Sequence, residues 1–238
     1  MLHAISQKKG NLYRRYMGHR DAGEIKVHEE DEITSLIFGP LALMSPKIIA
    51  DYWRYLLIKC AAPDIPDGDH LTAKMNFWPS RSRNNTRIEP DLQVTFTCAD
   101  GSTRVLLIEL KWRAQLSGED QLHKQWQIYL DKGERDHGWH MFIGLGISSA
   151  VEAKQNQDVW ANRLLPLDWL TILSFMEELC RLPIYSDLKP WASQVILVLE
   201  RLGVVPFRGF QQFCDIDCAS LKQLNSMTSI FLHQKERF

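Results

Sequence analysis

The sequence predicts an α/β fold in which a central mixed β-sheet is flanked by helices and followed by a helical C-terminal region. Three observations carry this. From Val105 to Arg113 the even positions read Leu106, Ile108, Leu110 and Trp112; the odd ones begin apolar, at Val105 and Leu107, and end charged, at Glu109, Lys111 and Arg113. Successive side chains of a strand point to opposite faces, so this run is a strand buried on both faces over most of its length, as a central strand is. Just upstream, Ala99-Asp100-Gly101 reads as a tight turn back to a preceding strand. Downstream, after a helical stretch, Trp139–Ile147 (WHMFIGLGI) is an apolar run of strand length. Strand, helix, strand makes a right-handed crossover to a parallel neighbour.

The 238 residues suffice for one sizeable core, with or without an appendage. An apolar content of 45% with 24% charged residues is that of an ordinary soluble protein. The formal net charge is −1, so contact with nucleic acid must come from local basic patches. That balance speaks against a protein that coats DNA and suits an enzyme whose metals neutralise phosphate. Five scattered cysteines, no apolar core of signal-peptide length and no membrane-spanning run point to a reduced, cytoplasmic setting without a membrane. Cys214 and Cys218, with His233, lack the second cysteine pair of a zinc site and read as ordinary thiols.

Residues 1–23 read as a basic arm, with Lys8, Lys9, Arg14, Arg15 and Arg20 around Tyr13 and Tyr16. A solvated arm is the expectation; a contact to the DNA backbone is the alternative. A helix follows over about 26–38, closed by Gly39-Pro40, with Ile33, Leu36 and Ile37 as its apolar stripe. Glu29 and Glu30 lie four and three residues before Ile33 and approach the buried side, and Glu32 sits nearer the edge. The macrodipole accounts equally well for acids at a helix start. Ser45 caps a second helix with Pro46 at its first position, running to about Cys60. Residues 61–70 are a loop whose aspartates lack the spacing of a calcium site. Leu71–Trp78 is a first strand, and Ser80–Arg87 a polar loop that offers Arg81, Arg83 and Arg87 either to phosphates or to solvent.

The hairpin decides which side chains meet. With a three-residue loop Gly101 takes the left-handed position, Cys98 pairs with Ser102, and counting back sets Asp91 opposite Glu109 on the face of Lys111. A two-residue loop would turn Asp91 to the other face. The three-residue loop is the reading adopted. Charged groups at the end of a buried strand cost desolvation energy unless paired; a divalent metal and a phosphate would pair them. After the hairpin, Ser117 starts a helix with Asp120 in a capping-box-like place, and Lys132-Gly133 closes it. Gln121, Gln125 and Tyr129 share one face of that helix. Beyond Ser148 helices are expected near Asp168–Arg181, Pro190–Leu202 and Ala219–His233. The expected division is thus an arm 1–23, a core 24–150, and a mainly helical region 151–238 packed on the core.

Pro90-Asp91 followed by Glu109-Leu110-Lys111 resembles the PD-(D/E)xK nuclease superfamily, and Gln125-Trp126-Gln127-Ile128-Tyr129 resembles the Gln-x-x-x-Tyr motif of one of its branches. The order Pro-Asp, hairpin, Glu-x-Lys, Gln-x-x-x-Tyr is far more specific than Glu-x-Lys alone. The resemblance implies a restriction-endonuclease-like core and a Mg²⁺-dependent deoxyribonuclease, with Mn²⁺ as substitute. It implies metal ligation by Asp91, Glu109 and the Leu110 carbonyl, with Lys111 acting on the attacking water. It also implies a further metal-site carboxylate from the first helix, holding a second metal or its water, for which Glu30 is preferred over Glu29 and Glu32. Gln125 and Tyr129 would position the substrate or the Glu109–Lys111 strand. DNA is the implied partner, in anti-phage defence or repair, alongside a helicase or ATPase subunit or a second copy of the chain. The competing reading is a catalytically inactive nuclease-fold subunit that binds DNA or protein in a larger complex. In a third, the motif is coincidence and Asp91 and Glu109 do not converge.

Overall fold

A computed structural model describes Ile5 and residues 29–83, 86–113, 116, 118 and 120–206. The arm 1–23 (apart from Ile5), Ser117, Cys214, Cys218, His233 and the helix expected near Ala219–His233 lie outside these residues. Strands β1 (Thr72–Phe77), β4 (Leu92–Thr97), β5 (Thr103–Leu110), β6 (Trp139–Gly144) and β7 (Leu164–Asp168) form a five-stranded sheet in the order β1-β4-β5-β6-β7. β4 pairs antiparallel with both β1 and β5, and β5, β6 and β7 pair in parallel. The sheet is therefore mixed, and β5 is its hinge between the two patterns.

Both faces of β5 are covered, which explains its nearly unbroken apolar sequence. Leu106, Ile108 and Leu110 face a large core. Four helices pack there: α1 (Glu29–Ala42), α2 (Pro46–Lys59), α6 (Trp169–Leu179) and α7 (Lys189–Arg201). Val105 and Leu107 face a smaller core under α3 (Gln121–Lys124), the π-helical turn Gln125–Tyr129 that continues it, and α5 (Ser148–Asn156). The parity read from the sequence thus holds, and Glu109 and Lys111 belong by that parity to the smaller-core face.

The β4–β5 turn has the expected three-residue form. Cys98 N–H donates to Ser102 O at 2.9 Å, Gly101 N–H to Cys98 O at 3.0 Å, and Gly101 has φ +79°. Only a residue without a Cβ takes that conformation at little cost. The ladder then runs from Thr97 opposite Thr103 to Leu92 opposite Ile108.

Several expectations are corrected. Gly39-Pro40 does not end α1, which reaches Ala42. A proline removes one hydrogen bond, but Phe38 and Leu41 are fully buried and their packing holds the last turn. The polar stretch after Trp78 is not a plain loop: β2 (Arg81–Arg83) and β3 (Thr86–Ile88) pair as a small hairpin. The helix after the β4–β5 hairpin begins at Gln121, with Asp120 as an N-cap whose side chain makes no capping bond. It does not close at Lys132-Gly133. The chain breaks at Leu130, and Lys132 opens α4 (Lys132–His137), whose capping box is Asp131 with Glu134. The described part of the region beyond 150 is mainly helical, as expected, and it also supplies β7, which extends the same sheet. A boundary at 150 would fall inside α5, whereas the unit that holds the sheet ends at Val205. No helix among the described residues is long and apolar enough to cross a membrane.

Candidate active site

Charged and amide side chains gather where β5 ends. One step beyond the Leu92–Ile108 pair, Asp91 comes beside Glu109. Asp91 Oδ2 accepts the Leu110 N–H at 2.7 Å, so Leu110 meets Asp91 through its amide. The Asp91 carbonyl accepts the N–H of Trp78, and the Trp78 indole donates to Asp31, which ties this strand start to α1.

Glu109 is 1% exposed, and its carboxylate is met by three donors. Lys111 Nζ lies 3.0 Å from Oε1, Gln121 Nε2 donates to Oε1 at 2.6 Å, and Gln125 Nε2 donates to Oε2 at 2.6 Å. These charge-assisted bonds offset the cost of burying the carboxylate.

Lys111 also reaches Glu30 Oε2 at 3.1 Å, and Glu30 Oε1 accepts the Trp112 N–H at 3.2 Å. Of the three acids considered, Glu30 is placed against the strand end. Both its oxygens bind neighbours of β5, so it acts on Lys111 from the helix layer of the larger core. The Lys111 backbone is held too: its N–H donates to Ile143 O at 2.7 Å, and its carbonyl accepts the Trp169 indole N–H at 3.1 Å.

The electrostatics follow from this crowding. Burial, then the neighbouring Glu109 charge, push the Asp91 carboxyl up to about 8 against the pull of the Leu110 N–H and Lys111. Burial raises Glu109 as well, opposed by Lys111 and Gln125. For Lys111 burial pulls down, but Glu109, Glu30 and Asp91 together outweigh it and the ammonium is held protonated. One ammonium thus serves three carboxylates. A cation beside Asp91 and Glu109 would relieve what remains. Among the described residues no three His, Cys, Asp or Glu side chains form a ready metal-ligand set. Mg²⁺ does not need one: it keeps several waters and binds through one or two carboxylates plus substrate phosphate. The donor set fits such a hydrated hard ion and does not fit a closed protein cage.

The two halves of the Gln-x-x-x-Tyr stretch part company. Gln125 reaches Glu109, while the Tyr129 hydroxyl donates to Gln93 Oε1 at 2.7 Å on β4. The π-helical turn between them carries an extra residue per turn relative to the ladder assumed from sequence. The arginines of the β2–β3 hairpin are all engaged. Arg81 forks onto both Glu134 oxygens at 2.7 and 2.8 Å and lies 4.5 Å over the Tyr129 ring; Arg83 pairs with Asp131 and Arg87 with Glu89.

Sequence reasoning missed Gln93, His140, Trp160 and Trp169. One signal was available: His140 is the sole polar side chain in an otherwise apolar strand run, and such a residue needs buried partners. Comparison of the chain with protein-family models, with curated proteins and with solved structures gives no match.

Proposed function

We propose that the chain is a metal-dependent nuclease with a restriction-endonuclease-like core that hydrolyses DNA phosphodiester bonds, as in anti-phage defence or repair. The observation that carries the reading is the meeting of Asp91, Glu109 and Lys111 at the end of β5, with Asp91 raised by burial and the Glu109 charge and Glu109 raised by burial. Asp91 and Glu109 would hold Mg²⁺, or Mn²⁺ in its place. When bound, the ion supplies positive charge that screens the phosphodiester and makes water a better nucleophile at neutral pH. Lys111 orients the attacking water and stabilises the charge that develops on the phosphorus oxygens. Glu30 keeps Lys111 charged and aimed, and Gln121 and Gln125 set the plane of the Glu109 carboxylate.

A second reading has its own support. Glu109 and Glu30 already have internal partners on both oxygens, as a nuclease-fold subunit kept only for binding DNA or protein would have. Cleavage and filter binding of DNA separate the two. In the nuclease, Lys111→Ala lowers the cleavage rate by about 10²–10³ while affinity changes little, because Lys111 acts on the transition state. Asp91→Ala abolishes metal-dependent cleavage. Mg²⁺ and Mn²⁺ support turnover, and the larger Ca²⁺ supports binding with little cleavage. Cleavage that persists in EDTA, or at the parental rate in Asp91→Ala, rules this site out as the nuclease centre. DNA binding without cleavage in any metal establishes the binding subunit.

A further inference from the structure

Behind Gln125 a chain of hydrogen bonds runs away from the site into the smaller core. Trp160 Nε1 lies 3.1 Å from His140 Nδ1, His140 Nε2 lies 3.0 Å from Gln125 Oε1, and Gln125 Nε2 lies 2.6 Å from Glu109 Oε2. Trp160 and His140 are 0% exposed and Gln125 is 1% exposed, so water does not compete for these groups.

The direction of every bond follows from one fact. An indole N–H can only donate. His140 Nδ1 must therefore accept and carry no proton. Burial, with His123 nearby, drops the His140 pKa to about 3, so the ring is neutral and its one proton sits on Nε2. That proton is donated to Gln125, which fixes the amide with its oxygen towards His140 and its NH₂ towards Glu109. Reversing any link would set two acceptors or two donors against each other in a buried place, at the cost of an unmade hydrogen bond. Trp126, stacked at 5° on the His140 ring with centroids 6.2 Å apart, holds the imidazole plane.

Glu109 is thereby treated unequally on its two oxygens. Oε2 is held by an amide that cannot turn. Oε1 is shared by Lys111 and by Gln121, a half-buried residue in the first turn of α3. We propose that His140 and Trp160 are positioning residues that act through Gln125: by holding Oε2 they fix the plane of the Glu109 carboxylate, and so the orientation in which Glu109 meets the metal. This rests on the nuclease reading above. Partners that orient a ligand from behind are typically worth about 10–100-fold in metal affinity.

The test uses the full chain, with Mn²⁺ as the probe, followed by calorimetry, and with ¹⁵N NMR of the imidazole nitrogens. In the parent, His140 appears as the neutral ring protonated on Nε2. Trp160→Phe removes the donor that imposes this tautomer. The His140 signal then shifts, and Mn²⁺ affinity falls by about 10-fold or more although Trp160 touches no ligand. His140→Phe weakens Mn²⁺ to a similar degree. Trp126→Phe gives up the indole bond to the Val159 carbonyl but keeps an aromatic face on the imidazole and leaves the chain unbroken, so it keeps the parental Mn²⁺ affinity. A parent ring protonated on Nδ1 overturns the inference without any variant. So does unchanged Mn²⁺ affinity in Trp160→Phe and His140→Phe, or an equal loss in Trp126→Phe, which would make the cluster mere packing; in those cases the nuclease reading stands. A parent that takes up no Mn²⁺ overturns both.

Discussion

Asp91 is a residue whose chemistry is strongly displaced by its surroundings. Its carboxyl moves from an ordinary 3.8 to about 8, burial first and the Glu109 charge second. A carboxyl that binds its proton more tightly folded than unfolded makes stability fall as pH rises between those two values. The loss begins above pH 3.8 and is complete above about 8. Asp91→Asn keeps an oxygen for the Leu110 N–H and removes the charge. In EDTA the variant should match the parent at acid pH and exceed it at alkaline pH. One pKa unit is worth about 1.4 kcal/mol; the partial exposure of Asp91 trims the total to a few kcal/mol at most. Urea midpoints across pH measure this. Parallel curves for parent and variant would mean that Asp91 is not strained in the folded chain.

At the scale of the element, the π-helical turn Gln125–Tyr129 divides what a regular helix would have shared. Gln125 holds Glu109 and Tyr129 holds Gln93, so the two side chains serve the carboxylate and the sheet respectively. From the sequence both were expected to position the substrate or the Glu109–Lys111 strand; the geometry separates them. Gln125→Ala leaves Glu109 Oε2 without its donor and should cut metal-dependent cleavage by about 10–100-fold. Tyr129→Phe leaves the buried Gln93 oxygen unsatisfied and should cost about 1–3 kcal/mol of stability with turnover nearly intact. Steady-state rates beside denaturation curves tell the two apart. If Tyr129→Phe loses cleavage at unchanged stability, the hydroxyl works at the site after all.

For the whole molecule, the two carboxylates are repelled within the fold and separate when it unfolds. A ligand that binds only the folded chain stabilises it by mass action, by about 2.7 kcal/mol at a hundredfold excess over Kd. At roughly 2–4 °C per kcal/mol for a chain of this size, Mg²⁺ should raise Tm by about 5–10 °C. Asp91→Ala should show no such rise. Equal shifts in parent and variant would place the ion elsewhere, and no shift in the parent would favour the binding-subunit reading. The same experiment on Glu30→Gln asks whether Glu30 is a ligand. With both oxygens on Lys111 and Trp112, it should leave the Mg²⁺ shift in place.

What the sequence determined by itself was local and periodic. Strand parity placed Glu109 and Lys111 on one face, and the glycine at 101 selected the loop that sets Asp91 beside them. Both signals lie within a single strand or a single turn, where backbone geometry leaves few choices. What only the tertiary structure decided involved partners far apart in the chain. Glu30 reaches Lys111 across 81 positions and Arg81 reaches Glu134 across 53. The end of α1 and the pairing of the Arg81–Ile88 hairpin were likewise settled by packing against distant residues, which outweighs local propensity. Trp160, His140 and Gln125 carry no shared motif. Their order along the hydrogen-bond chain exists only because β6 lies parallel to β5 and brings the buried ring beneath the π-helical turn.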